Sequence, residues 1–278
     1  MKRAYFVEQI VPLILTVVVC AALIAVIWVE IHVLNRFTRT HIAIQVRWSD
    51  VLIGMTIYLK TSVDFAIFIG NLMHTARGWK NRVMIEIGTA MGNALGTIII
   101  LALWDIFRDI KPLLAVMIVW AALVLFKLAE DGFEHARDKT YTLPRGFYLL
   151  VDKTEKIVHF INRFTSPILS RVMPQLSMNP PVSLTLLGLF LFSFRVPFVL
   201  GLDDFAGYVP VFDIVNVFGF SIGVLCGHMI LNILLFISPE HTIKIVKHPV
   251  ISYLGSVAFV ILAIWGLYEV SHVLIPRN

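Results

Sequence analysis

What most constrains this chain is a series of long apolar runs that recurs from one end to the other. An α-helix rises about 1.5 Å per residue and the hydrocarbon core of a bilayer is about 30 Å thick, so about 20 apolar residues cross it. Seven stretches reach that length, approximately 6–33, 50–73, 83–107, 112–130, 182–201, 210–237 and 249–275. Lipid offers nothing to pair with a bare backbone N–H or C=O, so each run is expected to be helical. The expected fold is all-α, a polytopic transmembrane bundle of about seven helices. Composition points the same way: 58% of the 278 residues are hydrophobic, 15% are charged, and mean hydropathy is +0.85. The first run follows Lys2 and Arg3 but is too long for a secretory signal and lacks a small-residue cleavage site, so it is expected to be retained.

A net charge of +5 in a soluble protein would raise nucleic acid as a partner. Here the basic residues sit in short segments between apolar runs, where they set orientation in the bilayer instead. Counted over seven spans, the segments on the amino-terminal side hold 14 Lys and Arg, and those on the opposite side hold 6. The expectation is an inner-membrane protein with a cytoplasmic amino terminus. The one sizeable segment outside the spans, 131–181, contains "GFYLLVDKTEKIVHFINRFTSPILSRV", which alternates apolar and basic residues at helical spacing. It predicts an amphipathic helix on the cytoplasmic face.

The chain repeats itself. "GTAMGNALG" carries Gly88, Gly92 and Gly96, and "GFSIGVLCG" carries Gly219, Gly223 and Gly227, with the same spacing. "VDFA" at 63–66 precedes the first triplet and "DDFA" at 203–206 the second, and a Lys–Pro or His–Pro corner follows each, at Lys111–Pro112 and His248–Pro249. Three landmarks in one order argue for duplication. Each unit holds three helices, an odd number, so the second enters the membrane from the other side and the result is a 3+3 inverted repeat. The chain then divides into an amino-terminal helix and connector (1–49), a first repeat (50–130), a cytoplasmic connector (131–181) and a second repeat (182–278). Inverted repeats place a substrate site near the midplane, often at broken helices, and Pro197, Gly201 and Gly207 predict such a break in the fifth helix. The glycine triplets are expected to pack the two central helices closely.

A carboxylate in lipid is costly and faces the protein interior with a partner or a ligand. Asp64 and Asp204 are the acids that the repeat singles out, with Asp203 beside them; Asn93, His228 and Asn232 are the polar groups expected to converge with them. Oxygen donors suit hard divalent cations, and one imidazole moves the preference toward manganese or a later transition metal. The competing reading is structural ion pairing, Lys60 with Asp64 at i, i+4 and Arg195 with Asp203 or Asp204. Glu86 reads as a cap at the mouth of the third helix. Lys127, Glu130, Asp131, Glu134 and His135 read as a solvated helix end.

Two three-helix units, each with an acid in an apolar run ("SVDFAIFIG" and "GLDDFAGYV") and each followed by a glycine-rich helix, resemble the LysE superfamily of exporters, its TerC-like and cadmium-resistance-type members in particular. The resemblance covers about 50–130 and 182–275. It implies a secondary transporter that exports a divalent cation, manganese-like, with ligands at Asp64 and at Asp203 or Asp204. The first motif reads Asp–Phe where the TerC branch shows Asp–Asn. A carboxylate that takes either a proton or a cation suits exchange for protons. The expected partners are therefore the bilayer, the cation and protons, with no tightly bound cofactor and no nucleic acid; a homo-oligomer is compatible with the sequence. HExxH, Gly-x-Ser-x-Gly and phosphate-cradling motifs are absent, which points away from an enzyme. An assembly or scaffold factor of the same fold is an alternative. A thiol-disulfide carrier is disfavoured, because Cys20 lies outside the repeat that holds Cys226.

Overall fold

The computed structural model describes residues 10–38, 41–76, 78–138, 140–172, 185–212 and 214–274, and within these the side chains of 63–64, 166–172, 199–207 and 273–274 lie outside the description. The described residues form ten α-helices and one 3₁₀ turn, with no strand. They are α1 (Val11–Phe37), α2 (Trp48–Thr61), α3 (Val63–Thr75), α4 (Trp79–Arg108), α5 (Lys111–Ala136), α6 (Arg145–Val172), α7 (Leu186–Tyr208), α8 (Val217–Ile237), α9 (Pro239–Val246) and α10 (Pro249–Leu274), with the 3₁₀ turn at Val209–Val211. Five of them, α1, α4, α5, α8 and α10, are long and apolar enough to cross a membrane, and α2 with α3 forms a sixth, bent candidate. The protein is an all-α bundle of membrane type.

Pro112 sits in the first turn of α5 and Pro249 opens α10, where a missing N–H costs nothing and the fixed φ suits a helix start. Asn216 caps α8: its Oδ1 accepts from Gly219 N–H at 3.1 Å. Two of the spans differ from the sequence reading. The run over 50–73 is two helices meeting at Ser62, which leaves the helical basin (φ −87°, ψ 25°), and their axes differ by 67°. The fifth of the seven expected spans, by contrast, is a helix unbroken from Leu186 to Tyr208 through Pro197. A membrane helix tolerates proline when neighbouring groups meet the freed backbone, so the predicted break lies in the other half of the chain.

The chain divides into two compact units. The first comprises 1–106, 176–204 and 214–243, the second 107–175, 205–213 and 244–278. In the first unit α2 runs parallel to α8. A Cβ placed on Gly54 would stand 2.2 Å from Phe220 O, one on Gly223 2.1 Å from Val51 O, and one on Gly227 3.1 Å from the Tyr58 ring. Backbones this close require glycine, the packing mode of small residues in lipid. Beside them α4 runs parallel to α7: a Cβ on Gly88 would stand 2.7 Å from Phe190 O and one on Gly92 2.3 Å from Phe194 O. Gly96 is buried on the same helix. The glycine faces that were expected to meet each other thus meet the first helix of the opposite half, α2 or α7. In the second unit α5 and α10 are antiparallel, with Gly132 against Ser256 and Ile118 against Gly266. Two parallel pairs and one antiparallel pair are the helix directions of a chain that crosses a bilayer back and forth.

α1 buries only Pro12, Thr16, Ile27 and Ile31. Ile14, Val17, Val18, Val26, Val29 and Val33 of the same helix are exposed, as expected of a helix with a face toward lipid. α6 fulfils the amphipathic pattern of the connector. It packs antiparallel along the last third of α5: Arg137 reaches Asp152 (3.1 Å) and Glu155 (3.0 Å), and Asn162 donates to Phe126 O (2.9 Å) and Glu130 Oε2 (2.7 Å).

Candidate functional site: a polar junction at mid-depth

α8 is 21 residues long, about 32 Å at 1.5 Å per residue, and His228 lies at its middle. The imidazole is fully buried. Tyr58 Oη of α2 lies 2.6 Å from its Nδ1, Asn232 Nδ2 lies 3.1 Å from its Nε2, and the Phe65 ring of α3 packs against it at 5.2 Å between centroids. Asn232 Nδ2 also donates to Thr89 Oγ1 of α4 (3.3 Å), which donates to Glu86 O (3.0 Å). With Asn232 donating to Nε2, a singly protonated ring carries its proton on Nδ1 and donates it to Tyr58 Oη.

The junction draws on helices from both halves, α2, α3 and α4 from the first and α8 from the second. It brings together two of the residues singled out in the sequence, His228 and Asn232. Asn93 lies one turn beyond Thr89 on α4, also buried, and its Nδ2 has no partner among the described residues. The same holds for Asn232 Oδ1, Ser62 Oγ at the α2–α3 bend, and Ser193 Oγ on α7, which stands over Gly88. A buried polar atom left unpaired costs about 1–3 kcal/mol, and these four lie in the unit that holds the junction. Both ring nitrogens of His228 are engaged, and the described residues hold no group of three His, Cys, Asp or Glu side chains placed for a metal ion.

Asp64 occupies the first turn of α3, directly after the bend and one residue before Phe65. A helix amino terminus has free N–H groups and the positive end of the dipole, which favours an anion there. That backbone position answers part of why an acid stands in this apolar run. Asp203 and Asp204 lie in the last two turns of α7. The side chains of all three acids are outside the described residues, so the Lys60–Asp64 and Arg195–Asp203/Asp204 pairings fall outside them at the acid end. Arg195 is exposed on α7.

Other acids behave differently from the sequence reading. α4 starts at Trp79, so Glu86 stands two turns inside it, buried, and accepts a hydrogen bond from Thr16 Oγ1 of α1 rather than capping. At the end of α5 Lys127 pairs with Asp131 at 2.6 Å, but Glu130 turns to α6 and holds His159 Nδ1 (2.6 Å) and Asn162. Tyr58, Thr89 and Thr16 were not singled out from the sequence. Their signal was present, since each is a hydroxyl in an apolar run and needs a partner there.

Cys20 of α1 and Cys226 of α8 are free, half-buried thiols on two helices that pack against each other. Cys20 lies outside the repeat that holds Cys226, as the sequence reading had it, but the packing of α1 on α8 brings the two helices together. Comparison with protein-family models, curated proteins and solved structures returns no match.

Proposed function

We propose that the protein is a secondary transporter of the inner membrane, amino terminus in the cytoplasm, that exports a divalent cation of manganese-like chemistry in exchange for protons. The observation that carries this reading is the junction itself: a fully buried imidazole at the middle of α8, bonded to Tyr58 of α2 and through Asn232 to Thr89 of α4. Inverted-repeat transporters hold substrate near the midplane, between repeats and beside interrupted helices. The bend at Ser62 and the exchanged pairing of α2 with α8 and α4 with α7 have that form. On this reading Asp64, with Asp203 or Asp204, supplies carboxylate oxygens, and His228 and Asn93 line the path. The resemblance to LysE-type exporters supports the same assignment.

Uptake of manganese into inverted proteoliposomes tests it. Asp64→Asn and Asp204→Asn are each expected to abolish flux while the protein stays folded, and flux retained in both refutes the reading. The paired thiols favour a second reading, a thiol-disulfide carrier. A Cys20→Ser/Cys226→Ser protein that transports at the normal rate excludes it.

A further inference from the structure

The two long faces of α6 have opposite surroundings. One is spent inside the protein: Val151 and Val158 are buried, Asn162 is bonded to α5, and Phe147 packs on Tyr253 of α10 at 5.6 Å. The other carries Leu149, Leu150, Ile157, Phe160 and Phe164, which are 48–67% exposed. At 100° per residue these five fall on one side of the helix over about 22 Å of its length. The Phe160 and Phe164 rings stack edge to face at 5.4 Å, and a continuous strip of this size is rarely left in water.

The charges are sorted as well. Both acids of this stretch, Asp152 and Glu155, turn inward to Arg137. Lys153, Lys156 and Arg163 are exposed and make no ion pair among the described residues. Lys153 rises from within the apolar strip, and Lys156 and Arg163 line one edge of it. An acid-free apolar face with three cations is complementary to anionic headgroups over acyl chains. α6 also runs back beside α5, so that Asn162 reaches the level of Phe126, where the charged end of α5 gives way to its apolar part.

We propose that this face of α6 docks into the headgroup region of an anionic leaflet, with Phe160 and Phe164 at the acyl boundary and Lys153, Lys156 and Arg163 on lipid phosphates. Lysine and arginine suit such a place, because their stems lie along apolar surface while the charge reaches the headgroups. The inference does not depend on the cargo of the transporter.

The test uses the full chain, with Cys20→Ser and Cys226→Ser, carrying a nitroxide on Phe160→Cys. It is reconstituted in vesicles of phosphatidylcholine alone or with phosphatidylglycerol. In the anionic vesicles the label is expected to be open to oxygen and closed to a water-soluble nickel chelate. The docked population should fall about five-fold for each cation neutralised in Lys153→Gln, Lys156→Gln and Arg163→Gln. These positions are exposed, and unchanged melting of the variants shows that they fold. A label reached by the chelate in both lipids overturns the proposal. So does a label closed to both reagents, which means that protein covers the face, and so does docking that is equal in neutral and anionic vesicles.

Discussion

Gly223→Ala is expected to wedge α2 and α8 apart, and the structure sets the size of the effect. The added Cβ would stand 2.1 Å from Val51 O, 2.8 Å from its carbonyl carbon and 2.9 Å from Met55 N. All three are backbone atoms and cannot turn aside. A carbon rests about 3.3 Å from a carbonyl oxygen at closest, so α2 must retreat by about 1 Å. It cannot slide to escape, because Gly54 of α2 already sits against Phe220 O of α8. Overpacking of this kind costs about 1–3 kcal/mol, and with backbone on both sides the upper end applies. Alanine returns about 1 kcal/mol in helix propensity, which leaves a net loss of about 2 kcal/mol. Gly219→Ala is the matched control: its Cβ meets Arg47 N and Asp50 Cβ at 3.4 Å, ordinary contact, so the propensity gain survives. Gly227→Ala falls between, at 3.1 Å from the Tyr58 ring and 3.2 Å from Met55 O. Melting midpoints of the three variants in one detergent should rank 219 above 227 above 223. A Gly223→Ala protein as stable as Gly219→Ala would refute the close parallel pairing of α2 with α8.

Tyr58→Phe leaves the buried Nδ1–H of His228 without its acceptor and should lower stability by about 1–3 kcal/mol. Asn232→Leu should do the same through Nε2, and because both act on one ring the double variant should lose less than the sum, as read by thermal unfolding. Mild oxidation should join Cys20 to Cys226 within one chain, seen as loss of both maleimide-reactive thiols; two thiols that stay reactive contradict the α1–α8 contact. At the exposed turn after α5, the hydroxyl and N–H of Thr140 hold the Asp138 carboxyl below its ordinary range. A lowered folded-state value means that this contribution is complete at neutral pH and is lost as pH falls from the ordinary Asp range through the lowered one. Protection from hydrogen exchange across 140–148, taken relative to the intrinsic rate at each pH, should therefore fall on acidification, and Thr140→Val should move that fall to higher pH.

The helices were legible because a bilayer admits little else, and span length alone places most of α1, α4, α5, α8 and α10. The partner of each glycine stripe was not legible. Gly219, Gly223 and Gly227 are evenly spaced, yet their clearances differ by more than 1 Å, because clearance depends on the facing backbone and spacing encodes only the face. The bend at Ser62 escaped notice since Thr61, Ser62 and Val63 contain neither proline nor glycine, whereas Pro197 advertised a break that α7 does not make. His228 and Asn232 stood out as polar residues one turn apart on an apolar helix. Tyr58 and Thr89, which complete their hydrogen bonds, are 170 and 143 residues from the atoms they meet, and no local pattern reports such distances.

The exchange of partners between halves bears on how the chain is made. α2 finds its glycine-striped neighbour only when α8 has been synthesised, α4 must wait for α7, and α5 for α10. The ribosome therefore releases half a protein whose closest-fitting surfaces are all still vacant, and the insertion machinery has to shelter those helices from unrelated neighbours. Neither half expressed alone should survive quality control, whereas the two co-expressed as separate polypeptides should rescue each other.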